Sequence, residues 1–384
     1  MKCNTFHEQR SAMMLQTYPW KWIKIVIAIS ITLVFLHLYH HEGFFDSSMG
    51  TSKTSSSTGA RIHDDICRTQ KWQRFIPRSP EEPRKVYDLF MVNTELDWLE
   101  IRLNNSYSYV DYFVLVESNK TFTNLDKPLI YKDNAAKFAA YHDKIIYHEI
   151  EYPEDFEPHT TWDIEDFQRN AMLTQVFPKL RGARRPRDGD VIIVSDVDEI
   201  SRPETLQLLR ECQFPRRLTI NSRFYYYSFQ YLHRGPEWPH PQATYYQGDW
   251  LTIRPNDLRM GLGVWQISRF WPFSLMNWFD EGEMHNAGWH CSSCFATIEE
   301  FLTKMKSFSH IYMNKEEFRN KDRIADAVRK GKDLWDREGQ EFDRIENNTD
   351  VPKFLLQNRE RFRYMLNRDG ASAGFADYTP WKGM

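Results

Sequence analysis

Beyond residue 84 the apolar positions fall into strand-length runs separated by stretches with helical spacing. Residues 86–92 (VYDLFMV), 110–116 (VDYFVLV) and 144–150 (KIIYHEI) read as strands. Asn93-Thr94 stands where it can cap a helix carrying Leu99, Ile101 and Leu103, and residues 162–176 have helical spacing. A further apolar run leads from Asp190 into Asp196, Asp198 and Glu199. Ser201 with Glu204 has the form of a capping box, with Pro203 in the first turn, so a helix is expected directly after the acids. Its positive amino end would then face them. Residues 223–231 (RFYYYSFQY), 250–254 and 264–268 read as later strands, and Thr297 with Glu300 opens a helix through Phe308. Strands alternating with helices predict an α/β fold with a mostly parallel sheet and a ligand crevice at its carboxyl edge.

The amino terminus has a different pattern. Residues 22–39 carry one charge, Lys24, and as a helix would span about 27 Å, enough for a thin bilayer. Lys2, Arg10, Lys21 and Lys24 precede or open this run, whereas Glu42 and Asp46 follow it. The positive-inside rule predicts a cytosolic tail (1–21), a transmembrane signal anchor (22–40) and a luminal remainder. The long leader, and His40-His41-Glu42 where small residues should lie, argue against cleavage. Residues 47–59 are rich in Ser, Thr and Gly and mark residues 41–84 as a flexible stem before a luminal domain at 85–384. Asn104, Asn119 and Asn347 stand in glycosylation sequons.

Composition narrows the chemistry. A net charge of -3 without long blocks of one sign excludes a nucleic-acid footprint. Aromatic residues make up 15% of the chain, which favours ring-lined grooves suited to sugars or flat bases. Cys67, Cys212, Cys291 and Cys294 allow three disulfide pairings, and Cys3 falls on the cytosolic side. The Cys291-Ser292-Ser293-Cys294 segment has no second ligand pair at zinc spacing and does not start a helix as a thioredoxin motif does. Disulfides are the expectation.

Asp196, Asp198 and Glu199 are the chief candidate for chemistry. A strand interior has no use for unpaired charge, so these acids are expected at a sheet edge. Asp-X-Asp there suits a divalent cation that in turn holds a diphosphate, whereas an acidic turn capping the next helix is the plainer alternative.

Several segments together resemble glycosyltransferase family 17: NTELDWLEIRL (93–103), FVLVESNKTF (113–122), FQRNAM (167–172), DVIIVSDVDEI (190–200), AGWHCSSCF (287–295) and LLQNRERFRYML (355–366). That family includes β-1,4-mannosyl-glycoprotein 4-β-N-acetylglucosaminyltransferases. The resemblance covers roughly residues 85–366. It implies a GT-A-type nucleotide-sugar-binding fold, a UDP-N-acetylglucosamine donor, a divalent metal such as Mn²⁺ and inversion at the anomeric carbon. It also implies a mannose of an N-glycan as acceptor, a bisecting-type linkage and a Golgi membrane location. Ser293 stands where the animal pattern has an aromatic residue, which bears on the acceptor more than on the chemistry. A non-catalytic luminal glycan-binding protein on the same fold, or a family member with another acceptor, is the alternative. A two-metal phosphodiesterase would need more ligands near Asp196 than the chain offers.

On this basis Asp198 is expected as the direct metal ligand, Asp196 as a metal or ribose contact, and His290 as a third ligand or diphosphate contact. His310, after Lys304 and Lys306, is a weaker alternative, and those lysines read as a solvated helix face. Asn93, Glu95 and Glu117 end strands where the nucleoside would lie, or else cap helices. Arg169 would balance Asp196 or touch the diphosphate. Glu199, Asp280, Glu281 and Glu283 are the candidate general bases. Tyr225, Tyr226, Tyr227 and Trp238 are placed to stack on acceptor sugars, or else to fill the core.

Overall fold

The apolar runs form one half of a single sheet in the computed structural model, which describes residue 30 and residues 66–79, 81–263 and 280–380. Strands β1 (Val86–Met91), β2 (Tyr112–Glu117), β3 (Ile145–Glu149) and β4 (Val191–Asp196) lie parallel in the order β3-β2-β1-β4. These strands are covered on both faces, which is why they read as continuous apolar runs. Alternate residues serve opposite faces: Val86, Phe90, Val191 and Ile193 join one core, and Tyr87, Leu89, Ile192 and Val194 the other.

The other half differs from the expected parallel sheet. Strand β5 (Glu199–Ser201) follows the acids, and β6 (Arg217–Tyr226), β7 (Ser228–His233) and β8 (Gln242–Tyr245) add antiparallel pairs. Tyr227, at a φ of 63°, turns β6 back as β7 within one residue, and so tight a connection permits only an antiparallel pair. Strand β9 (Glu281–Ser292) runs parallel to β6 and antiparallel to β5, and β10 (Phe342–Arg344) closes the edge on β7. The fold is therefore mixed α/β.

Helices α1 (Leu96–Ser106), α2 (Thr161–Thr174), α3 (Pro203–Glu211), α4 (Pro255–Arg259), α5 (Ile298–Ser307) and α6 (Lys321–Lys330) flank the sheet. The Thr297–Glu300 capping box forms as expected. The one at Ser201–Glu204 does not, because Ser201 is paired in the sheet and the helix begins after Arg202. Nor does Asn93-Thr94 cap α1, whose amino end has no side-chain cap; Asn93 instead donates to Ser307. Residues 250–254 are not a strand. The Thr252 hydroxyl closes a helical turn on Gly248, and Pro255 then starts α4.

Residues 66–84, counted with the stem above, are packed against the domain. Cys67 is bonded to Cys212 across 145 residues, and Trp72 packs on Phe214. The Arg84 guanidinium lies over the rings of Phe75 and Phe214 and donates to the carbonyls of Gly189, Leu209 and Cys212. The other disulfide joins Cys291 to Cys294. Apart from residue 30, the expected tail, anchor and stem up to residue 65 lie outside the described residues, as do Cys3 and the strand expected at 264–268. Among the described residues no helix is long and apolar enough to cross a membrane.

Replacing Cys67 by Ser should lower the unfolding free energy by about 2–5 kcal/mol, since the bond closes a long loop. A fall in thermal midpoint checks this; an unchanged midpoint would mean that the bond contributes nothing.

Candidate active site

Strand direction decides which residues meet. Because β8 runs against both β4 and β6, strands β4, β6 and β9 share one direction with β1. Their carboxyl ends open onto one cleft, roofed by α5 and flanked by α2, with about 1440 Å³ of empty space counting the solvent at its mouth. Met91 of β1 lies level with Asp196 of β4 at this edge.

The acidic turn is held from beneath by Arg102, which is 2% exposed. Its guanidinium pairs with the buried Asp88 carboxylate and donates to the carbonyls of Asp196 at 3.0 Å and Glu199 at 2.7 Å, and to the Ser195 hydroxyl. A turn whose carbonyls are satisfied from below leaves its aspartates free to point into the cleft.

Glu199 does not reach the cleft, and the expectation that it acts as a base is corrected. It is fully buried and accepts from Arg259 at 2.7 and 3.0 Å, from the Trp238 indole at 2.8 Å and from the Asp196 amide at 2.9 Å. Burial works to raise its carboxyl, but the Arg259 guanidinium foremost, with smaller contributions from the neighbouring imidazoles, more than offsets burial and holds it far below the usual value of 4.5. An acid bound so firmly by donors is a poor proton acceptor.

Asp196 and Asp198 differ in their surroundings. Asp196 faces two guanidiniums, Arg169 at 3.4 Å and Arg259 at 3.3 Å. Burial would raise its carboxyl, but these cations, Arg259 foremost, hold it below the usual range. Asp198 is buried and accepts no hydrogen bond from the described residues; His290 Nδ1 lies 3.7 Å away and Lys304 Nζ 3.8 Å. Burial outweighs the pull of these neighbours and raises its carboxyl.

Register brings His290 here from 92 positions beyond Asp198. It stands opposite Glu199 on β5 and beside Phe224 on β6. Gly288 permits that approach, since a Cβ there would lie 2.5 Å from the Ser222 hydroxyl and 2.9 Å from the Ile200 carbonyl. The imidazole packs against both Phe224 and Trp238, at 5.2 and 4.8 Å between centroids, and those two rings touch each other at 5.3 Å. Its Nδ1 is buried with no hydrogen-bond partner.

The remaining candidates divide. Asn93, Glu95 and Arg169 line the cleft, as do Tyr226, Trp238, Lys304 and His310. His310 lies edge-on to Trp162 and has no hydrogen bond or ion pair with Asp196 or Asp198 among the described residues. Glu117 is corrected from a nucleoside contact to its other reading, a helix cap: its carboxylate accepts from the amides of Tyr131 and Lys132 and is not part of the cleft lining. Asp280, Glu281 and Glu283 are corrected as well. They sit at the far end of β9: Glu283 pairs with Thr219 and His290 with Phe224, five β6 positions or roughly 17 Å apart. Glu281 pairs with Arg217 there, and Glu283 accepts from Asn221. Tyr225 and Tyr227 are fully buried in the core, and Lys306 is exposed outside the cleft.

Asp88, Arg102 and Arg259 were not anticipated. Asp88 had a signal, a carboxylate amid an apolar strand, and Arg102 lies on the buried stripe of α1 beside Trp98, Leu99 and Ser106. Arg259 had none, being 63 residues from Asp196 in a polar segment.

Do these residues fit a divalent cation? Among the described residues no group of three His, Cys, Asp or Glu side chains has metal-holding geometry, so the expected set of Asp196, Asp198 and His290 is not a preformed three-ligand cage. Asp196 is turned toward its arginines. The carboxylate of Asp198, free of donors, and the unpartnered His290 nitrogen do suit such an ion. A cation bound by one or two protein groups completes its shell with phosphate oxygens and water. The donor set fits.

A cleft at the carboxyl ends of the parallel strands is where proteins of the α/β class bind their ligands. Within that class, the chain belongs to glycosyltransferase family 17, whose profile matches residues 44–268 and 280–371. It is 27% identical over 310 residues to a human beta-1,4-mannosyl-glycoprotein 4-beta-N-acetylglucosaminyltransferase, covering 77% of this chain and 57% of that protein. The rat protein of the same name is 26% identical over 309 residues. The chain thus spans somewhat more than half the length of these relatives. A looser structural likeness, at a TM-score of 0.30 and 10% identity, is to a mannosyltransferase from Pyrobaculum calidifontis in complex with GDP-Man and Mn²⁺, covering 71% of each chain.

Replacing Arg259 by Ala should destabilise the fold by about 3–5 kcal/mol, because it strands the buried Glu199 charge. The lowered Glu199 pKa means the pair's stabilisation is complete above pH 4.5 and fades as the solution is acidified below it. Denaturant unfolding from pH 7 downward checks this, with Glu199→Gln expected to lose that acid-dependent part.

Proposed function

We propose that this chain is a metal-dependent, inverting N-acetylglucosaminyltransferase on a GT-A-type fold. It would take UDP-N-acetylglucosamine as donor and a mannose of an N-glycan as acceptor, in β-1,4 linkage. The observation that carries this is the donor-free Asp198 carboxylate facing the unpartnered His290 nitrogen, in the cleft of a family 17 chain. Asp198 and His290 would hold the ion, Mn²⁺ by the family resemblance. When bound, it supplies positive charge to the diphosphate oxygens.

The chain's own groups do the rest. Arg169 and Arg259 keep Asp196 ionised and fixed at the cleft floor. Asn93 and Glu95, at the end of β1, lie where the nucleoside would rest. Tyr226 and Trp238 present ring surface suited to a sugar face. With Glu199, Asp280 and Glu283 out of reach, the base for the acceptor hydroxyl is to be sought among the cleft's own carboxylates, Glu95, Glu165, Asp196 and Asp198.

We also propose a Golgi membrane location, single-pass with the domain luminal. The apolar run at 22–39 and its flanking charges support it. So do the two disulfides, which suit an oxidising compartment, and the exposed sequon asparagines Asn104, Asn119 and Asn347. Protease treatment of intact microsomes should leave the domain protected; digestion without detergent would reverse the orientation.

Incubation with UDP-N-acetylglucosamine, Mn²⁺ and an N-glycan library, with linkage analysis of the products, tests the activity. Asp198→Asn should reduce turnover by at least ~100-fold while the thermal midpoint holds. Turnover undiminished by this variant or by a chelator would remove the metal assignment. Donor binding without transfer to any acceptor would favour the glycan-binding alternative.

A further inference from the structure

Helix α5 carries a lysine on its inward face. Phe301 and Met305 are buried under the helix, and Lys304 shares their side, whereas Lys306 points to solvent. The Lys304 stem lies between the rings of Phe295 and Phe308, its ammonium 5.5 Å from each centroid. The side chain is 25% exposed and lines the cleft.

The ammonium is short of acceptors. Three N–H donors need partners, yet Lys304 donates no hydrogen bond to the described residues, and its ion-pair partner Asp198 stands 3.8 Å off. The other cleft lysines are differently placed: Lys120 pairs with Asp126 at 2.5 Å, and Lys127 faces Glu117 at 3.9 Å. Lys304 alone of these faces the acidic turn, opposite the unpartnered His290 nitrogen.

We propose that Lys304 is the binding group for the terminal phosphate of a nucleoside diphosphate. This rests on the nucleotide-sugar donor proposed above. The ammonium neutralises Asp198 while the cleft is empty and turns its free donors to the phosphate when the nucleotide enters. During transfer, the bond between the sugar's anomeric carbon and the β-phosphate oxygen breaks, and its electron pair stays on that oxygen. The acceptor oxygen forms the new bond to the carbon, and its proton passes to a cleft carboxylate or water. A cation within reach of the departing oxygen favours that charge, so Lys304 assists both binding and departure.

Calorimetric titration of the whole protein with UDP and with UMP, with and without Mn²⁺, tests the assignment. Lys304→Met keeps the stem against Phe295 and Phe308 but removes the charge. It should weaken UDP binding by roughly 10- to 100-fold, the size of a lost charge-assisted hydrogen bond, and leave UMP binding within about 3-fold. Lys304→Arg should restore most of the UDP affinity, since it keeps the charge. Unchanged UDP binding in Lys304→Met, or equal losses for UDP and UMP, would overturn the phosphate assignment alone. Wild-type protein that binds neither nucleotide would overturn the donor reading and this assignment with it.

Discussion

The cleft depends on one buried guanidinium. Arg102 is surrounded by protein and balanced by Asp88, and it spends its remaining donors on the carbonyls of the turn that follows β4. A buried charge without such partners would cost far more than a fold of this size can spare. The pairing therefore fixes α1, β1 and the turn relative to one another. Ser195, Asp196 and Glu199 all receive a hydrogen bond from this one side chain. The direction in which Asp196 and Asp198 point follows from it.

Above this support, three adjacent acids take on three different roles. Glu199 is saturated with donors and works as a strut joining Arg259, Trp238 and the Asp196 amide. Asp196 is balanced by two arginines. Asp198 has neither and meets only a distant lysine and an imidazole. Position in the chain separates them by one to three residues, yet their carboxyls are pushed in different directions. The difference comes from which cations the surrounding elements deliver.

Strand β9 makes the second delivery. It sits between β5 and β6, close enough to both that Gly288 must lack a side chain. It brings His290 against the ring cluster of Phe224 and Trp238 and sets Ser292 and Ser293 in the cleft wall. The Cys291–Cys294 bond closes the turn directly beyond. The aromatic content visible in the composition is thus divided. Some rings fill the core, as Tyr225 and Tyr227 do, and others shape the cleft.

Much of this was legible along the chain. The apolar runs marked the parallel strands because both faces of those strands are buried, and an acid cannot continue such a run into the interior. That reasoning located Asp196 and Asp198 at the sheet's carboxyl edge, and the shared segments named the family. What lay beyond reach was pairing between distant segments. Residue types alone did not show that Glu199 would meet Arg259, which of its two readings Glu117 would follow, or that β9 would carry Glu283 roughly 17 Å away from His290. Local periodicity records which face of an element is buried. Register, strand direction and the partner of a buried charge are set by contacts tens to hundreds of residues apart, and only the folded chain decides them.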